Sequence, residues 1–443
     1  MKNSLNMKIT PVSLLKYALP TILSTVFMNV YSLVDSLFVS NLIDTDALSA
    51  VNIVGPLLAI TLAIGTMIAA GGSALIAKQL GEEKDLESKQ NFSFFLVFCV
   101  MVSVIFAVVG LIFRQPILYA MGADAALYPT CEAYAIPLMF VIPFAMIGML
   151  VQMFFVTAGK PGLGFGLSLI GGVLNIIFDY VLIAVIPLGV AGAAYATGIG
   201  YVFQSIAGLA YFIFKRNGSL SLVKPKWNGR ALLKACGNGM SEMVGMLSIS
   251  VTMVAMNIIL MQKAGSDGVA AGAIVLSAQT ILSAVYMGYT MGIAPVISFN
   301  YGGQNNENLQ KIYKIALRTI GIMSVFTCIA MFPAARPIAR LYAEGVENVI
   351  EMAVNGMYIF SVAFLFMGFN LFASSMFTAF NDGRTSAMLS LFRTLIFLII
   401  PLLILPPMLG VLGVWIALPM AEVLSIIMSV YYFKKKKSVY HYA

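Results

Sequence analysis

Long apolar runs recur from one end of this chain to the other, and polar residues fall mainly in the short breaks between them. Each run reaches about 20 residues or more, enough for a helix to cross roughly 30 Å of hydrocarbon. The pattern predicts twelve spans, at 12–40, 47–77, 91–113, 130–157, 163–186, 190–214, 231–262, 268–299, 312–334, 349–380, 385–407 and 410–433. Several are longer than a bilayer requires, so tilt or extension past the membrane is expected. The first run is followed by no small-residue cleavage pattern and reads as a retained helix. The expected fold is an all-α polytopic membrane protein of twelve transmembrane helices.

Composition agrees. Of 443 residues, 60% are hydrophobic and 10% charged, against about 25% charged in a soluble domain. The net charge of +8 suggests nucleic acid at first sight. The placement of the basic residues argues against that partner. With both termini in the cytoplasm, 21 Lys and Arg fall inside and four outside, Arg114, Lys263, Arg336 and Arg340, while Arg393 lies within a span. This is the positive-inside asymmetry of a membrane protein, and Lys434–Lys437 read as part of it. Lipid bilayer is therefore the expected surrounding, and the cell membrane the expected location.

Cys99, Cys131, Cys236 and Cys328 are scattered, and the only histidine, His441, is close to an end expected to be frayed. This set assembles no zinc, haem or iron–sulfur site. Gly237-Asn-Gly239 opens a span, but no Gly-Lys-Thr or Gly-Lys-Ser follows, so ATP does not drive the protein directly. With no Ser-His-Asp or Cys-His set, an enzyme is not expected.

The chain repeats itself at one offset of 221 positions. Asp46-Ala-Leu-Ser-Ala50 resembles Asp267-Gly-Val-Ala-Ala271, and Leu188-Gly-Val-Ala-Gly192 resembles Leu409-Gly-Val-Leu-Gly413. Leu80-Gly81 pairs with Tyr301-Gly302, and Pro116-Ile117 with Pro337-Ile338. Six spans separate the copies, so the halves share one topology and are related by an axis along the membrane normal, with a cavity between them. The expected division is 1–214 as an N-terminal six-helix lobe, 215–230 as a cytoplasmic linker and 231–443 as a C-terminal six-helix lobe.

Charges inside spans are the informative residues, because each costs about 2.5–3.5 kcal/mol at the bilayer centre on insertion scales. They are Asp35, Asp179, Glu242, Arg393 and Glu422. Asn175 and Asp179, four apart, share a helix face, and Thr197 follows on the next span. An aspartate, an amide and a hydroxyl all offer oxygen, and together can hold a proton or a sodium ion. A structural hydrogen-bond network is the alternative for the same set. Arg393 and Glu422 read as a structural ion pair between adjacent helices. Adaptable methionines and aromatics suit a permissive substrate cavity, and Met28, Phe154, Met253, Met256, Gln279 and Phe369 are its candidates.

The runs Leu33-Val-Asp-Ser-Leu-Phe-Val39, Asn175-Ile-Ile-Phe-Asp-Tyr180, Gly189-Val-Ala-Gly-Ala-Ala-Tyr-Ala-Thr197 and Phe299-Asn-Tyr-Gly302 together resemble the MATE family, the multidrug and toxin extrusion transporters, and within it the bacterial MepA-like and DinF-like type. The resemblance spans nearly the whole chain. It implies two six-helix bundles in the V-shaped MATE/MOP-type fold, a monomer, and no ATP-hydrolysing subunit. It implies export of amphipathic, mostly cationic small molecules in exchange for protons or sodium ions, with no other cofactor. The family's ion-coupling set falls on Asp35, Asn175, Asp179 and Thr197, and a C-lobe acidic site falls on Glu242. A flippase for lipid-linked precursors or an exporter of polysaccharide shares the fold and is the rival reading. Its phosphate would call for a basic cavity, whereas Arg393 is the one basic residue within the spans.

Overall fold

The computed structural model describes residues 5–42, 45–215, 218–343 and 345–443, with the side chains at 33, 36–42, 45, 46 and 48 left out. Lys2 and Arg216, and the side chains of Asp46 and of most of the 33–39 run, thus lie outside the described residues. Helices account for all the regular structure described: α1 (Pro11–Leu42), α2 (Thr45–Gly81), α3 (Asp85–Ile112), α4 (Arg114–Ala120), α5 (Tyr128–Thr157), α6 (Pro161–Asp179) and α7 (Val190–Phe214), then α8 (Gly229–Gly302), α9 (Asn306–Tyr342), α10 (Glu347–Ser361), α11 (Phe364–Ala379), α12 (Gly383–Leu391), α13 (Phe397–Leu409) and α14 (Val411–Tyr440). Wider π-helical turns run over Tyr180–Val185 and Phe392–Ile396.

A straight helix of 74 residues would be about 110 Å long, several times the thickness of a bilayer. Helix α8 avoids this by turning at Gly265, whose φ of 63° and ψ of −152° are open to glycine alone. Its two arms correspond to the seventh and eighth expected spans. Ten described helices are long and apolar enough to cross a membrane, and α10 with α11, bent by 55°, makes an eleventh. Counting the arms of α8 separately gives twelve, in line with the pattern. The expected single span at 349–380 is corrected to this bent pair. At the break Ser361 donates its hydroxyl to the Tyr358 carbonyl at 2.7 Å, and Val362 N–H reaches Ile359 O at 3.3 Å. Such local bonds compete with the helical ladder and bend it.

The sequence repeat has a conformational counterpart. Gly189 and Gly410, 221 positions apart, hold φ of 60° and 61° at the start of α7 and α14. Gly192 and Gly413 then lie so close to Leu182 and Leu405 that a Cβ would stand 2.6 Å from each carbonyl oxygen. In both places the motif turns the chain tightly into its next helix.

Glycine also closes the seam between the first half and α8. A Cβ on Gly71 would collide with the Ala235 carbonyl, and one on Gly239 with the Met67 carbonyl. Gly292 approaches Ala18 in the same manner, at 2.9 Å to its Cα. Gly71 and Gly292 are themselves 221 apart, so α2 on the first arm of α8 mirrors α1 on the second. On the axis between them, Gly81 abuts the Phe299 carbonyl and Gly302 the Lys78 carbonyl. This seam runs to the end of the molecule that carries Lys78, Lys84 and the start of α8.

In the second half, Arg393 Nε lies 2.9 Å from Glu422 Oε1, and Glu422 is 2% exposed. Glu422 Oε2 accepts from Asn370 Nδ2 at 2.7 Å, and Asn370 Oδ1 accepts from Ser429 Oγ at 2.8 Å. The ion pair thus joins α11 and α14 to the π turn after α12. The C-terminal end is fixed rather than frayed. Asp382 caps α12 through Thr385 N–H at 3.2 Å and accepts Tyr440 OH at 2.9 Å, with Lys436 Nζ at 3.1 Å. Tyr440 stacks on Phe380, and buried Tyr442 donates to the Phe433 carbonyl.

Arg393→Met leaves Glu422 buried and unpaired and should cost about 3–5 kcal/mol. Arg393→Met with Glu422→Leu should recover most of it, as read by thermal unfolding of purified protein. Equal losses in the single and double variants would contradict the pairing. Burial works to raise the Asp382 carboxyl, but Thr385, Tyr440 and Lys436 outweigh it and hold the group below its usual range. A depressed folded value means that stability is present above the unfolded value and lost as pH falls through the folded one. Asp382→Asn should therefore lower Tm by a few °C at neutral pH, and the difference from wild type should begin to shrink below about pH 4 and vanish only once pH is below the folded value.

Candidate functional site

Glycines bring α1, α6 and α7 together. A Cβ on Gly200 would lie 2.7 Å from the Gly171 carbonyl and 3.4 Å from Asn175 Cβ, so α7 rests directly against the Asn175 turn of α6. Gly192 meets Leu182 farther along the same antiparallel pair. Thr197, half-buried between these two contacts, is therefore beside the turn that carries Asn175 and Asp179. On the other side of α6, a Cβ on Gly172 would lie 2.5 and 3.0 Å from the rings of Phe27 and Tyr31 of α1. Asp35 is one turn beyond Tyr31, level with Asp179.

The polar atoms gathered there are short of protein partners. Asn175 is 3% exposed and Asp179 fully buried. Neither oxygen of Asp179, neither side-chain atom of Asn175, and not the buried Asp35 Oδ1 has a hydrogen-bond partner among the described residues. The Asp35 and Asp179 carboxyls are close enough to interact directly. Two carboxylates both accept and neither donates, so side by side away from water they need a proton or a cation between them. Asp179 also ends the regular part of α6, where the π turn from Tyr180 begins. Such turns insert one residue and re-aim the side chains around them.

Three tyrosines that the sequence reading did not single out complete the cluster. Tyr134 is buried and Tyr31 and Tyr201 are half-buried, all three within electrostatic reach of Asp35, with Tyr31 beside Tyr201. A helical wheel could have found two of the three. Tyr31 is four residues before Asp35, and Tyr201 four after Thr197, which puts each on its partner's face.

Glu242 belongs to another neighbourhood. It is half-buried on the first arm of α8, and the charge it meets is Arg393. The second half thus places Glu422 and Glu242 near the Arg393 guanidinium, with Asn370 bonded to Glu422.

The candidate cavity residues scatter. Phe154 is fully buried against Phe92, with ring centroids 4.8 Å apart, and Met256 is in the second-half core. Both are core side chains rather than cavity lining, because packing partners enclose them on every side. Phe369 packs against Gly321, Gln279 is half-buried and Met253 half-exposed. Met28 stays near the polar interior, where Gln152 Nε2 reaches its sulfur at 3.7 Å and Ser24 Oγ at 2.7 Å. An apolar groove of about 710 Å³ opens instead between α5, α6 and α7, beside Phe140, Phe178 and Tyr195, and none of the six residues lines it.

Comparison with known proteins accords with this architecture. The MatE family model matches residues 20–181 and again 243–403. The multidrug export protein MepA of Staphylococcus aureus is 24% identical over 414 residues, 93% of this chain and 90% of its own. The MepA of Staphylococcus saprophyticus is 22% identical over 413 residues, 92% of this chain and 90% of its own. Among solved structures, the outward-facing conformation of a multidrug resistance MATE family transporter of the MOP superfamily superposes with a TM-score of 0.92 at 21% identity, covering 99% of this chain and 98% of that one. The double match covers both halves of the repeat and most of the chain, and on that ground this chain belongs to the MatE family of multi-pass membrane transporters.

Proposed function

We propose that this protein is a secondary active exporter of amphipathic, mostly cationic compounds, driven by the exchange of protons or sodium ions. The observation that carries the proposal is the group of buried, unpartnered oxygens on Asp35, Asn175 and Asp179. A buried carboxylate that a protein leaves unsatisfied is costly in hydrocarbon. A proton or a sodium ion on the Asp35–Asp179 pair removes that cost, and Asn175 and Thr197 add neutral oxygens for a metal cation. The coupling ion thus binds in the first half, on helices α1, α6 and α7.

Orientation follows from the basic loops. With both termini in the cytoplasm of a bacterial cell, the glycine seam closes the cytoplasmic side and the structure is in its outward-facing state. Ion binding on Asp35 alters how α1 packs on α6, and α1 is also the helix that Gly288 and Gly292 of α8 touch at Ile22 and Ala18. The helix that senses the ion is therefore part of the seam that must open. Ion and drug must favour different states or compete, since a ligand shifts two states only by its differential affinity for them. The MepA relatives, described as multidrug export proteins, support the choice of substrate class.

Efflux of ethidium from everted vesicles, with proton and sodium gradients imposed separately, tests this reading. Wild type should respond to at least one gradient. Asp179→Asn should lower the gradient-driven rate about tenfold or more, equivalent to at least about 1.4 kcal/mol of coupling. Efflux by Asp179→Asn equal to wild type, or wild-type efflux indifferent to both gradients, would sink the proposal.

A further inference from the structure

A polar cavity of about 350 Å³ lies apart from the ion site, at the basic end of the seam, where the end of α2, the start of α3 and the start of α8 meet. Four basic side chains line it, Lys78, Lys84, Arg230 and Lys234, against two acidic ones, Glu82 and Glu87. Both acids are engaged within the first half. Glu82 lies 2.7 Å from Lys84 Nζ and 3.6 Å from Lys78 Nζ. Burial works to raise its carboxyl, but the two lysines outweigh it and hold the group below the ordinary range. Glu87 accepts from Gln79 Nε2 at 2.9 Å. Gln79 accepts in turn from Asn91, and Asn91 from Asn228 at 3.2 Å, so the polar chain crosses from α3 to the residue before α8.

Arg230 and Lys234 are exposed into this cavity and form no ion pair among the described residues. They occupy the opening turns of α8, whose first turn carries no acid and whose N-cap Asn228 accepts through its side chain from Ala231 N–H. Positive side chains at the positive end of a helix reverse the usual preference. The cavity therefore concentrates cationic charge, the positive end of a helix and two uncommitted basic side chains, beside the apolar Leu75 and Ala231. That combination suits a phosphate group.

We propose that this pocket binds a phosphate group, presented by an anionic phospholipid headgroup at the membrane surface or by phosphate in solution, and that the bound anion ties the α2–α3 turn to the start of α8. Its partners come from both sides of the glycine seam, so it binds the closed seam more tightly than an open one. The pocket is distinct from the Asp35–Asp179 site, and its test does not depend on transport.

Full-length protein, wild type and Arg230→Gln/Lys234→Gln, is compared in nanodiscs of phosphatidylcholine with and without phosphatidylglycerol, and in neutral detergent titrated with inorganic phosphate. Retained phospholipid is read by native mass spectrometry and Tm by intrinsic fluorescence. Lys434→Gln/Lys435→Gln serves as the control for basic charge elsewhere. Wild type and the control should retain phosphatidylglycerol and gain Tm from it, and the pocket variant should bind about tenfold more weakly or worse. A shift with phosphatidylglycerol alone assigns the site to a lipid headgroup. A shift with inorganic phosphate as well assigns it to phosphate from either source. If the double variant fails to fold, Arg230→Gln and Lys234→Gln are read singly. Equal retention and equal shifts in wild type and pocket variants, or an equal loss in the control, would overturn the proposal.

Discussion

Direct backbone contact between helices of the two halves is the constraint on which the rest of this structure depends. At Gly71, Gly239, Gly81 and Gly302 there is no room for even a methyl group. In a bilayer, helices gain little from apolar burial, because lipid is as apolar as leucine, and close approach through small residues supplies the contact instead. The run at Phe299–Gly302, singled out from the sequence as a family feature, is part of this seam. The seam must hold firmly enough to close one side of the membrane and loosely enough to open. Contacts between backbones, unlike an interlocked apolar core, suit a surface that separates and re-forms. Across it lie a polar chain from Glu87 to Asn228 and the turning helix α8, so both halves meet at one end of the molecule.

The two halves repeat in backbone but differ in charge. Gly189 and Gly410 make the same turn, yet the first half buries two adjacent carboxyls with unpartnered oxygens and the second buries an arginine held by Glu422. The position 221 residues after Asp179 falls beside Pro401, inside an apolar helix. A satisfied ion pair braces a structure, whereas an unsatisfied carboxyl pair needs a mobile cation. The same fold thus provides one half whose buried charges are paired and one whose buried carboxyl oxygens lack partners among the described residues.

Much of the fold was legible because the bilayer imposes it. A run of about 20 apolar residues can hardly be anything but a crossing helix, and a glycine at positive φ recurs wherever the repeat needs the same turn. The break between α10 and α11 was not legible, since neither glycine nor proline marks it. The polar cluster around Asp35, Asn175, Asp179 and Thr197 was legible because charge inside a span stands out. Its tyrosines were not, since tyrosine is unremarkable in an apolar run. Two of the six cavity candidates misled for a related reason. In a chain that is 60% hydrophobic, side chains facing core, lipid and cavity look alike, and Phe154 and Met256 turned out to fill cores.

The central claim is that a cation on the Asp35–Asp179 pair governs the seam. Spin labels at Leu86→Cys and Glu307→Cys, exposed positions 221 residues apart beside the seam, report its opening by pulsed electron resonance when the four native cysteines are replaced. The distance distribution should shift when pH or sodium is varied in wild type and stay fixed in Asp179→Asn. A shift of the same size in both proteins would contradict the account.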